Sequence, residues 1–227
     1  MTEQAKGTRL VALVPMRHHS ERVPGKNYRP LAGKPLYAHI LDALLACSSI
    51  EKVAVDTDSP VIVDGLRRDY PGVLVIDRPE SLRGDDVSMN DVLLHDITQL
   101  PATFYLQTHS TNPLLRAETI SSAVNAFLEA YPRHDSLFSV TPLRKRLWDS
   151  GGRPINHDPS VLLRTQDLPP IFEENSCLYI FERTLFQQTG NRLGDRPLMF
   201  PMGAAEAWDI DDELDFEIVE WLARRRR

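Results

Sequence analysis

Two groups of side chains in this 227-residue chain have the types and spacing to do chemistry. Arg17 to Asn27 reads R-x-x-S-x-x-x-P-x-K-N, and Arg17, Arg22, Lys26, Arg29 and Lys34 crowd into a stretch laced with Pro and Gly. Cationic side chains and main-chain N–H groups gathered in one loop are what a polyphosphate requires. Towards the other end, "DIDDELD" supplies Asp209, Asp211, Asp212 and Asp215. Carboxylate oxygens suit Mg²⁺, which takes one or two of them and fills its shell with substrate phosphates and water. Residues two apart in an extended or turn segment face the same way, so two of these carboxylates can reach one ion. Asp212 and Glu213 stand where acids favour a helix start whatever else they do. The plain alternatives are a solvated basic loop and a set of helix-capping acids. Neither the GxxxxGK[ST] phosphate loop nor the GxGxxG dinucleotide fingerprint is present.

Such a loop needs a frame. "RLVALV" is a continuous apolar run, as in a strand buried on both faces. "LYAHILDALLAC" puts Leu36, Ile40, Leu41, Leu44 and Leu45 on one helical face. "KVAVDT" reads as a strand, and "SPVIVDGLRRDY" as a helix with Ser59 as N-cap and Pro60 in its first turn. Strands follow at "GVLVID", "TFYLQT" and "SLFSVT", separated by helices at "SMNDVLLHDITQL" and "AETISSAVNAFLEAY". This alternation predicts an α/β fold, a mostly parallel, doubly wound sheet with right-handed crossovers. Ligands in such sheets bind beyond the carboxyl ends of the strands, so the loops after Val14, Thr57, Asp77 and Gln107 are expected to converge. The alternation breaks after Pro142. Residues 143–172, rich in Pro, Gly and charge, read as an insertion within a single domain spanning 1–227. A strand at "SCLYIF", a helix at "RTLFQQT", a strand at "PLMFPM" and a closing helix at "DELDFEIVEWLARR" complete the chain.

Composition narrows the classes. The chain is 42% hydrophobic and 26% charged, enough apolar residues for a sizeable core and too many for global disorder. A net charge of -6 argues against a nucleic-acid-binding protein, though not against a local anion site. "MTEQAKGTR" is too polar for a signal peptide, and no apolar run is long enough to span a bilayer, so a cytoplasmic enzyme without a membrane partner is expected. Cys47 and Cys177 are expected to be buried free thiols, and the "RRRR" tail a solvated helix end.

The longer string "VPMRHHSERVPGKNYRPLAGKPLYAHILDA" resembles the opening of the acylneuraminate cytidylyltransferase family, "ARxxSKGxPxKNxxxLxGKPLxxxxIxxA", at Arg17, Ser20, Pro24, Lys26, Asn27, Leu31, Gly33, Lys34, Pro35 and Leu36. Further stretches follow in the family's order. "VAVDTDSPVI" is similar to "IIVSTDDxxI", "IDRPESLRGDDVSMNDVL" to "xxRPxxLAxDxxSxxDVL", "YLQTHSTNPLL" to "xLQPTSPLR", and "AWDIDDELDFEIVE" to "xxDIDTxxDLxxAE". The resemblance runs from Leu10 to about Glu220 and is weakest between Leu143 and Phe172.

The resemblance implies a Rossmann-like fold of the nucleotide-diphospho-sugar transferase type. Its activity would be transfer of CMP from CTP to a 2-keto sugar acid of the sialic acid kind, with Mg²⁺. It implies a homodimer in which the insertion packs on a second subunit. By position, Arg17, Lys26 and Asp211 would be catalytic. Arg17, Ser20, Lys26, Asn27, Arg78, Asp85, Ser88 and Gln107 would bind the nucleotide. Asp209 and Asp211 would hold the metal, and Gln107, Arg164, Phe172 and Asn175 the acceptor. Kdo, an aminated Kdo or a phosphonate are alternative acceptors, and a non-catalytic nucleotide-binding protein is a third reading. The chain departs from the pattern at His18, His19 and Glu21, where Glu21 replaces a lysine, and its loop from Gln107 to Leu115 is longer.

Overall fold

The computed structural model describes residues 10–225. Residues 1–9, which include the polar leader, and Arg226 and Arg227 of the basic tail lie outside them. β1 (Leu10–Met16) is buried at every position, as its unbroken apolar run requires. A two-residue hairpin of β2 (Pro30–Leu31) and β3 (Lys34–Pro35) follows, escaping the sequence analysis. Its turn residues Ala32 and Gly33 have φ of 49° and 95°. Tight hairpin turns need such positive φ, and only Gly adopts it without strain.

α1 (Leu36–Leu45), β4 (Lys52–Thr57), α2 (Pro60–Asp69), β5 (Leu74–Asp77), α3 (Met89–Gln99), β6 (Phe104–Gln107) and α4 (Ala117–Ala130) continue the alternation. Ser59 and Ser88 cap α2 and α3, accepting bonds from Ile62 N and Asp91 N. Then come β7 (Ser136–Leu143), β8 (Ile171–Glu182), α5 (Arg183–Thr189), β9 (Pro197–Pro201) and α6 (Glu213–Arg225). The sheet order is β5-β4-β1-β6-β8-β7-β9, with β8 antiparallel to both neighbours and every other pairing parallel.

Strand side chains alternate between two helical layers. Leu10, Ala12 and Val14 face α1, α2 and α4 in the larger core. Val11, Leu13, Tyr105 and Phe181 face α3 and Phe186 of α5 in the smaller one. Leu45, assigned above to the buried face of α1, is 50% exposed at the helix's last position, while Tyr37 and Ala38 join the buried face. A third cluster joins Val23, Leu31, Leu36 and Leu114 to Ile210, Phe216 and Val219. It clamps α6 onto the basic loop, with Arg29 ion-paired to Glu213 and lying 4.2 Å over the Phe216 ring. Cys47 and Cys177 are buried and free. Among the described residues no helix is long and apolar enough to cross a membrane.

The segment after β7 holds only a Trp148–Pro154 bridge and a short turn at residues 165–167 before β8. β8 begins at Ile171, five residues ahead of the strand read from "SCLYIF". Its early half pairs with β7 across a register shift between Phe138 and Val140. Ser176 there takes φ 58°, a left-handed conformation that glycine adopts freely.

Candidate active site

The loops after β1, β5 and β6 do converge. Arg17, Ser20, Arg22, Lys26 and Asn27 from the first loop, Arg78 and Asp85 from the second, and His109 to Thr111 from the third line one cavity of about 430 Å³. The loop after β4 acts from behind. His18 N donates to Asp58 at 2.7 Å, His18 Nδ1 lies 2.7 Å from Ser59 Oγ, and its ring stacks on Tyr28. His18 thus anchors the basic loop, while His19 lines the cavity.

Two cations of this cavity are held loosely. Arg17 is ion-paired with Asp85, both exposed. Arg22 reaches Asp211 at 2.7 Å, also at the surface. Exposed pairs of this kind stabilise little and can be exchanged for phosphate. Lys26 Nζ donates to Ile210 O at 2.7 Å. Burial lowers the Lys26 pKa, and Asp209 and Asp211 oppose that shift. Asn27 spends its amide on the loop, donating to Arg17 O and accepting from Ser110 Oγ, both at 2.7 Å. Ser88 caps α3 and pairs with Asp91; it is not among the residues lining this cavity.

A second cavity of about 570 Å³ is lined by Asp209, Asp211, Asp215, Trp208, Lys145, Glu173, Glu174, Asn175 and Ser176. Asp209 keeps an exposed face, yet the protein packed around it raises its carboxyl pKa, with a Thr111 hydrogen bond opposing. Asp212 has the other fate. Its carboxylate accepts from Asp215 N at 3.0 Å, and Asp215 accepts from Asp212 N at 3.2 Å, a reciprocal cap on α6. Asp209 and Asp211 therefore remain as two oxygen donors on one cavity wall, with Arg22 as a displaceable counter-ion, and that donor set fits a hard divalent cation. Asn175 spends its amide on Ser139, Thr141 and the Cys177 N–H. Arg164 pairs with Asp167 in the exposed segment, and neither it nor Phe172 lines either cavity.

Gln107, expected to touch both nucleotide and acceptor, is fully buried at the end of β6 and lines neither cavity. Its Oε1 accepts from Arg192 at 2.5 Å, which turns its Nε2 towards His109 Nε2 at 3.0 Å. His109 must therefore accept there as a neutral imidazole. Burial, with Arg192 and Lys26 nearby, pushes its pKa down to about 4.

Beneath the first cavity lies a group the sequence analysis missed. Asp56 is ion-paired with Arg78, at 1% and 3% side-chain exposure. The ligand atoms of Asp56, His95 and Asp96 lie within 4.8 Å of one another. Burial, then the neighbouring Asp56 charge, pushes the Asp96 pKa up to about 9. Asp96 is thus protonated at neutral pH and Asp56 is the member paired with the guanidinium. A shared proton and Arg78 already balance this cluster's charge.

The sequence matches the cytidylyltransferase family model over residues 11–202. It is 32% identical to the CMP-N,N'-diacetyllegionaminic acid synthase of Legionella pneumophila, over 94% of this chain and 96% of that one. The chain belongs to the cytidylyltransferase family. It is also 25% identical to the N-acylneuraminate cytidylyltransferase of Escherichia coli, over 96% of this chain but 53% of that longer protein. The fold is shared with a CMP:2-keto-3-deoxy-manno-octonic acid synthetase solved with CTP, at TM-score 0.72 and 17% identity, covering 97% of this chain and 100% of that one. As a cytidylyltransferase the chain is a nucleotidyltransferase, and its enzymatic class needs little covalent machinery: positioning and charge stabilisation dominate such transfers.

Proposed function

We propose that this cytidylyltransferase couples CTP to a 2-keto sugar acid of the sialic acid kind, giving a CMP-sugar and pyrophosphate. The observation that carries the reading is the meeting of the basic loop with the Asp209–Asp211 wall: Lys26 lines the first cavity while its ammonium bonds Ile210 O between those two carboxylates. The relatives named for diacetyllegionaminic acid and N-acylneuraminate support the acceptor class. The anomeric hydroxyl attacks the α-phosphorus and gives up its proton to solvent, a new P–O bond forms, and the α–β bridging bond breaks to release pyrophosphate. Arg17 and Lys26 neutralise the triphosphate, exchanging Asp85 and a main-chain carbonyl for phosphate oxygens. Asn27 fixes the loop that presents them, and Arg78 faces the base from its buried seat. Asp209 and Asp211 would hold Mg²⁺, which when bound supplies positive charge against the phosphates and makes the attacking hydroxyl more acidic. The protein is supplied with CTP, Mg²⁺ and a panel containing N-acetylneuraminic, diacetyllegionaminic and 2-keto-3-deoxy-manno-octonic acids. Pyrophosphate release with a nine-carbon acid is expected, and release with none of them contradicts the reading.

The same reading includes a homodimer. The segment between β7 and β8 exposes Trp148 at 51%, Ile155 at 57%, Val161 at 51% and Leu162 at 90%. Apolar side chains gathered on one segment suit a second copy of the chain. Leu162→Asp is expected to shift the species in sedimentation from dimer towards monomer. A wild-type monomer at micromolar concentration would remove this element.

A further inference from the structure

Arg192 has surroundings that the proposed reaction does not use. It follows α5 and lies on the face of the sheet that carries α3. Its guanidinium carbon sits 3.5 Å over the Tyr179 ring, and Nη1 donates to Gln107 Oε1. Among the described residues no carboxylate lies within the 4.0 Å of an ion pair with it. Glu174 attracts it from further off, and burial lowers its pKa. By contrast Arg17, Arg22, Arg29, Arg78, Arg116 and Arg164 all have an acid in contact. A half-buried guanidinium held by Tyr179 and an amide oxygen has lost hydration without gaining a counter-charge in contact.

Its position says which anion it serves. Through Gln107 it is two hydrogen bonds from His109, which lines the cavity of the basic loop. Arg192 itself lines neither cavity, but Tyr179 beneath it bonds through its hydroxyl to Ser176 and Glu174, which line the cavity of Asp209 and Asp211. In a 2-keto sugar acid the carboxylate and the attacking hydroxyl are attached to the same carbon. The cation that holds the carboxylate must therefore come within reach of both the basic loop and the Asp209–Asp211 wall. Arg164 stands elsewhere, exposed and taken by Asp167.

We propose that Arg192, steadied by Tyr179 and Gln107, binds the carboxylate of the acceptor acid and selects acids over neutral sugars. This rests on the acceptor class given above. Arginine's planar fork matches a carboxylate better than an ammonium does. Wild type, Arg192→Gln and Arg192→Lys are compared at saturating CTP and Mg²⁺, with pyrophosphate release followed against N-acetylneuraminic acid and its C1 methyl ester, and melting curves as a check on folding. Loss of a charged hydrogen bond predicts a KM for the acid about 10- to 150-fold higher in Arg192→Gln. KM for CTP stays unchanged, Arg192→Lys recovers part of the loss, and the preference for acid over ester disappears in Arg192→Gln alone. An unchanged acid KM in a folded Arg192→Gln overturns the assignment while leaving cytidylyl transfer standing. A matching rise in the CTP KM overturns it in favour of a triphosphate contact. No turnover by wild type with any acid of the panel overturns both this and the acceptor reading.

Discussion

Asp211→Asn is expected to abolish pyrophosphate release, lowering kcat/KM by about a thousandfold or more, and to leave the melting temperature nearly unchanged. The two halves of this result have separate causes. A metal-bound oxygen contributes several kcal/mol of charge stabilisation in phosphoryl chemistry, and an amide is a poor replacement for a carboxylate ligand. Structurally the side chain does little: it is 53% exposed and its Arg22 partner 66% exposed. Surface pairs contribute about 0–1 kcal/mol. The main-chain N–H of Asp211 still bonds Asp215 in the variant, so the α6 cap persists. The adjacent Asp212→Asn is the matched control. Asparagine caps a helix as well as aspartate, so that variant keeps both fold and turnover. Comparable loss in the two variants, or retained activity in Asp211→Asn, removes the metal assignment.

Asp56→Ala produces the largest stability change. It leaves the Arg78 guanidinium, 3% exposed, without its partner. Breaking a buried pair from one side costs about 3–5 kcal/mol. Asp96 can then ionise and take up part of the lost role, which places the single variant at the lower end and makes Asp56→Ala/Asp96→Asn worse. The pair also predicts a pH dependence. Asp96 has its folded pKa raised to about 9 from the ordinary aspartate value of 3.8, so the folded state holds a proton there that the unfolded chain releases. Its contribution to stability is greatest below pH 3.8, falls as pH climbs through the window, and is flat above about 9. Asp96→Asn cannot lose that proton, so its urea midpoint declines less between pH 5 and 9 than that of wild type. Parallel midpoint curves for the two proteins would show that Asp96 does not hold the proton.

What the sequence makes legible follows from distance along the chain. Arg17 and Lys26 share one loop after a strand with a clear apolar run, so their convergence is readable before any fold is known. The α/β alternation is likewise local, since each helix and strand carries its own period. Contacts between remote segments are not readable this way. Arg22 meets Asp211 across 189 positions, and Gln107 meets Arg192 across 85. One missed group did leave a signal. The buried positions of α3 are Val92, Leu93, Asp96 and Ile97, so an acid occupies a core position of an amphipathic helix. An acid there requires a buried partner, and Asp56 and Arg78 are it. Asn27 and Asn175 show the opposite limit: their motifs are legible, but only packing reveals that their amides hold the loop and the β7–β8 shift.

The most direct test of cytidylyl transfer to a sugar acid is the mass of the product formed from CTP, Mg²⁺ and a nine-carbon 2-keto acid. A product equal to the acid joined to CMP through one phosphate, with one pyrophosphate released per product, is expected. A product appearing only with phosphorylated acceptors and carrying two phosphates, or CMP and pyrophosphate with no conjugate at all, would contradict it.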